Sequence, residues 1–92
     1  MLFILINETK SDLTDDDYKV LGGMMNDFYE NIPADIRLVG DYATLDRRKN
    51  FAILDADSID KINALKAPFE KYVNIDVIPV EPTAYFAKMK QE

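Results

Sequence analysis

Two short runs, Met1-Leu2-Phe3-Ile4-Leu5-Ile6 and Phe51-Ala52-Ile53-Leu54, limit the folds open to this chain more than anything else in it. Each is apolar at odd and even positions alike. Side chains alternate between the two faces of a strand, so a strand apolar throughout has both faces covered and sits at the centre of a sheet. Two other stretches also read as strands, but with polar or proline interruptions. Residues 35–42 set Ile36, Leu38, Gly40 and Tyr42 against Arg37, Val39 and Asp41, and residues 74–80 carry Pro79. Polar alternation and proline both belong at a sheet edge.

Helical patterns separate these strands. In residues 14–32, Tyr18, Leu21, Met25, Phe28, Tyr29 and Ile32 fall on one stripe, as a helix packed on a sheet requires. Thr14 is placed to cap this helix, with Asp17 completing a capping box, and Asp15, Asp16 and Asp17 suit the positive end of its dipole. Gly22-Gly23 predicts a bend within it. A second helix starts near Asp57 or Ser58. Pro68 forces a break near residue 67, followed by a short further turn through Tyr72. Residues 82–92 read as a brief terminal helix or tail, with Tyr85, Phe86 and Met89 making a small apolar stripe.

The order is β-α-β-β-α-β. The central-type strands come first and third and the edge-type strands second and fourth. The pattern predicts an α+β, ferredoxin-like sandwich over residues 1–92 as a single domain: an antiparallel sheet ordered 4-1-3-2 with both helices on one face. Two helices cover only one face of such a sheet. The other face is still apolar, and a patch of that size calls for a partner. A second copy of the chain is the expected one, and Asp76 on the fourth strand is placed to meet Arg37 of that copy.

Charge and residue usage then exclude whole classes of function. Seventeen acids against eleven bases give a formal charge of −6, which opposes binding to nucleic acid or an anionic membrane. With no cysteine and no histidine, the chain has no thiolate nucleophile and lacks the commonest metal ligand, haem ligand and neutral-pH base. No cofactor is expected. The apolar start has no basic flank and is too short for a signal peptide or a membrane span, so a cytoplasmic setting is the expectation.

Four stretches, Met1–Ile6, Ile36–Tyr42, Phe51–Ser58 and Phe69–Val80, together with the pattern as a whole, resemble the domain of unknown function 3303 family within the dimeric α/β-barrel superfamily. Gly40-x-Tyr42 and Val77-x-Pro79-Val80 are the most distinctive elements. The family often carries a His after the aromatic residue, where this chain has Ala43, and its hairpin is usually Gly-rich, where this chain has Leu45-Asp46-Arg47-Arg48-Lys49-Asn50. The resemblance implies a homodimer with facing sheets and supplies no activity.

Candidate sites are few. Asp15-Asp16-Asp17 lacks the alternate spacing, glycine and distal Glu of a calcium loop. Asp55, Asp57 and Asp60 are better spaced but read as helix capping. Asn7, Tyr18, Tyr29 and Tyr42 are the polar residues expected to line a pocket between sheet and helices, though buried tyrosines with satisfied hydroxyls are also ordinary core. Two functions follow: a structural or small-molecule-binding dimer, or a cofactor-independent isomerase or oxygenase acting on a small apolar or aromatic substrate. Arg47-Arg48-Lys49 is the only cluster of three bases. The short, glycine-free connection around it predicts a solvated turn rather than an anion cradle.

Overall fold

A computed structural model describes residues 1–90. Gln91 and Glu92, the end of the expected tail, lie outside the described residues. The elements are β1 (Leu2–Thr9), α1 (Asp15–Glu30), β2 (Arg37–Ala43), β3 (Lys49–Asp55), α2 (Ile59–Lys66), a 3₁₀ turn (Ala67–Phe69), β4 (Val73–Val80) and α3 (Ala84–Lys90). The four strands form one antiparallel sheet in the order β2-β3-β1-β4, which is 4-1-3-2 read from the other edge. The strands apolar on both faces are central, and the proline-bearing β4 is at an edge.

Register divides the residues between the faces. Phe3 pairs with Leu54 and Leu5 with Ala52, and these side chains meet Ile62 of α2, with Phe28 of α1 and Ile32 beyond its end packed against the same cluster. Phe3, Leu54 and Ile62 are its fully buried centre. A second cluster, Leu21, Tyr72 and Val73, closes the far end of α1 over β4. On the opposite face, Leu2, Ile4 and Ile6 lie beside Ile53, Phe51 and Ile78. Neither α1 nor α2 reaches these residues.

Local signals explain the element ends. Thr14 Oγ1 accepts from Asp17 N–H at 3.1 Å and Asp17 Oδ2 accepts from Thr14 N–H at 3.0 Å, a complete capping box. Gly22 and Gly23 do not interrupt α1, which runs continuously from Asp15 to Glu30. An added Cβ at either would meet nothing within 4 Å, so no close approach to the sheet requires them. Pro68 ends α2 at Lys66 and the chain tightens into the 3₁₀ turn. Thr83 Oγ1 accepts from Phe86 N–H at 3.1 Å at the start of α3, where Tyr85, Phe86 and Met89 remain 76%, 50% and 55% exposed.

The acidic residues are engaged separately. Asp55 pairs with the N-terminal amine at 3.1 Å and with Arg37 at 3.2 Å, so Arg37 is committed within its own chain. Asp57 and Asp35 share Lys61 at 3.2 and 2.7 Å. Among the described residues no group of acids could hold a metal ion, and no helix is long and apolar enough to cross a membrane.

Candidate functional site

A cavity of about 220 Å³ lies between the sheet and α1. Its floor is apolar and comes from the sheet: Leu5 of β1, Ala52 and Leu54 of β3, and Ile75 of β4. Phe28 of α1 and Phe69 of the 3₁₀ turn form the opposite wall, with ring centroids 6.4 Å apart and planes at 89°. The proline that ends α2 therefore has a role at the site: it produces the turn that carries Phe69 into the cavity wall.

One side of the cavity is bounded by a connected polar chain. The Tyr29 hydroxyl donates to Asp41 Oδ2. Asn50 Nδ2 donates to Asp41 Oδ1 at 2.7 Å, and Asn7 Nδ2 donates to Asn50 Oδ1 at 2.9 Å. The carboxylate fixes every amide orientation in this chain. Asp41 can only accept, so Asn50 must turn its nitrogen to it and offer its oxygen to Asn7. Asn7 Oδ1 is left over, buried and without a partner. An unsatisfied buried acceptor costs about 1–3 kcal/mol.

Burial, helped by the hydrogen bond to Asp41 and its negative charge, pushes the Tyr29 hydroxyl up to about 12. The phenol is therefore neutral at physiological pH and its proton is already committed to Asp41. It is a hydrogen-bonding group and a poor base.

Two of the four expected lining residues, Asn7 and Tyr29, are in the cavity wall. Tyr42 is not, because strict alternation fails in β2. The pairing with β3 jumps from Leu38–Leu54 to Gly40–Ile53, and this bulge reverses the parity of everything after it. Tyr42 moves to the open face of the sheet, opposite Phe51 and 64% exposed, with its ring over Gly40. Asp41 moves to the helix side, where it organises the polar chain. Tyr18 is 50% exposed and away from the cavity. On α1 the residues packed into the core clusters are Leu21, Met24 and Phe28, leaving Tyr18 on the flank.

The family model for a domain of unknown function, DUF3303, matches residues 1–92. The chain belongs to the DUF3303 family. Among curated proteins none matches it. In this DUF3303 chain, Ala43 at the end of β2 also lines the cavity.

The β2–β3 hairpin tip closes the site. Arg47 N–H donates to Thr44 O at 2.9 Å, and Asp46 Oδ1 accepts from Arg48 N–H at 3.0 Å and from the Thr44 hydroxyl at 2.6 Å. Arg47 takes φ 64°, the left-handed conformation that follows a tight turn in short hairpin loops. Arg47, Arg48 and Lys49 are solvent-exposed. They also line the cavity mouth, a placement that the linear sequence does not reveal.

Proposed function

We propose that this DUF3303 chain is a homodimeric small-molecule-binding module of the ferredoxin-like, dimeric α/β-barrel type. The observation that carries the binding role is the cavity of about 220 Å³ with an apolar floor and a polar chain along one side. Its size is below the roughly 300–1,000 Å³ of sites that take drug-sized ligands, so its ligand is small. Binding is favoured over proton-transfer chemistry because the two ionisable groups of the polar chain, the Tyr29 hydroxyl and the Asp41 carboxylate, are hydrogen-bonded to each other.

The dimer rests on a separate observation. Leu2, Ile4, Ile6, Phe51, Ile53 and Ile78 form an apolar sheet face that α1 and α2 leave uncovered, and the same face of a second copy is the self-complementary surface a two-fold dimer uses. The exposed apolar stripe of α3 then lies on the partner chain, since a helix of seven residues is not stable alone in water. A cytoplasmic setting belongs to the same reading: a chain without cysteine gains no disulfide from an oxidising compartment.

Titration with indole, a small neutral apolar probe, followed by amide NMR tests the binding role. The expected result is saturable shifts concentrated at Leu5, Ala52, Leu54 and Phe69. Shifts that are absent, or scattered over the open sheet face, refute it.

A further inference from the structure

We infer that the cavity takes a small apolar carboxylic acid as its anion, with the apolar body on the sheet and the carboxylate at Arg47 and Arg48. This rests on the binding reading above and specifies its ligand.

Charge around the cavity runs opposite to charge in the rest of the chain. The sequence has seventeen acids and eleven bases. The cavity lining contains Arg47, Arg48, Lys49 and Lys66 and no Asp or Glu. The one nearby carboxylate of the polar chain, Asp41, is turned to Tyr29 and Asn50. Lys49 and Lys66 have acidic neighbours, Glu8 at 3.9 Å and Glu70 at 3.6 Å. Among the described residues Arg47 and Arg48 form no ion pair, although the chain is rich in carboxylates. Two guanidiniums without an ion pair beside an apolar cavity are suited to a carboxylate, which they can hold through paired N–H donors.

The backbone gives an independent reason. Arg47 occupies the left-handed region at φ 64°, where a residue with a Cβ is disfavoured relative to glycine. The strained position holds an arginine that lines the cavity, and such local strain is typical of functional loops.

The lining is also graded. Following β3 from Leu54 through Ala52 to Asn50 and on to the hairpin tip, it passes from buried apolar to polar to basic. An apolar acid matches that order end to end, whereas a phosphorylated sugar or nucleotide would place hydroxyls on the Leu5–Leu54 floor.

The test uses the intact chain and two probes of equal shape, 3-phenylpropanoate and its neutral amide, by calorimetry and amide NMR. The acid is expected to bind at least tenfold more tightly than the amide at low salt, and the ratio to shrink as salt rises. In the double variant Arg47→Gly, Arg48→Ser, the acid should fall to the affinity of the amide while amide binding stays unchanged. The glycine keeps the turn geometry, and retained amide binding shows an intact cavity. Removing two distant cations, Lys19→Ser with Lys88→Ser, should leave the tenfold ratio in place and so distinguish a site from overall charge. Equal affinities of acid and amide for the unaltered chain, or a ratio that survives loss of both arginines, would overturn the inference while the binding reading stands. If neither probe shifts cavity residues, both are wrong.

Discussion

Tyr29 illustrates how a single side chain reads its surroundings. Its hydroxyl is raised to about 12 by burial first and by Asp41 second. A group whose folded pKa lies above its unfolded value stabilises the fold fully below the unfolded value, near 10, and loses that contribution as pH rises toward the folded one. The protein should therefore lose stability between about pH 10 and 12. Tyr29→Phe should flatten that part of the thermal-melt profile, and an identical alkaline profile in the variant would show that the phenol is not held by Asp41. Arg47 gives the complementary case. Arg47→Gly should raise stability by about 1 kcal/mol through relief of the left-handed backbone, read as a shift of the urea midpoint with unchanged slope. Unchanged or lowered stability would place the strain elsewhere.

Elements show where propensity and packing part company. The glycine pair in α1 weakens a helix that is continuous, exposed at both positions and open to an added methyl group. Gly22→Ala and Gly23→Ala should each stabilise by about 1 kcal/mol, and destabilisation by either would reveal a contact made by that face of the helix. At the start of the same helix, Thr14→Ala removes one half of the capping box and should cost about 1 kcal/mol. In β2 the decisive feature is the bulge between Leu38 and Gly40. One extra residue in that strand sends Tyr42 out and brings Asp41 in, so the polar side of the cavity depends on a backbone irregularity as much as on residue type.

At the scale of the whole molecule, the open sheet face and α3 raise the same question of what covers them. If two copies pack through that face, light scattering at micromolar concentration gives twice the 10.6 kDa chain mass. Ile4→Lys, at the centre of the face, then yields a folded monomer with unchanged circular dichroism. Truncation after Val80 should weaken the dimer while sparing the core around Phe3, Leu54 and Ile62, which α3 does not join. A monomer at all concentrations, or an Ile4→Lys chain that still dimerises, would exclude this arrangement.

Element order, the central places of β1 and β3, the capping of α1 and the break at Pro68 were all legible in the sequence. Each depends on short-range physics: alternation along a strand, side chains that bond their own backbone, and a ring that blocks a helix. Family membership was legible as well, and the family model matches residues 1–92. The cavity was only half legible. Asn7 and Tyr29 stood out as polar residues on apolar elements, but Asp41 and Asn50 looked like ordinary surface and turn residues until β2 slipped its register against β3. Arg47 and Arg48 read as a solvated turn, and they are exposed. That the turn also forms the mouth of a cavity was decided by tertiary structure alone. A cavity is bounded by residues from β1, α1, the hairpin and β4 at once, and no local rule fixes the distances among elements that far apart in the chain.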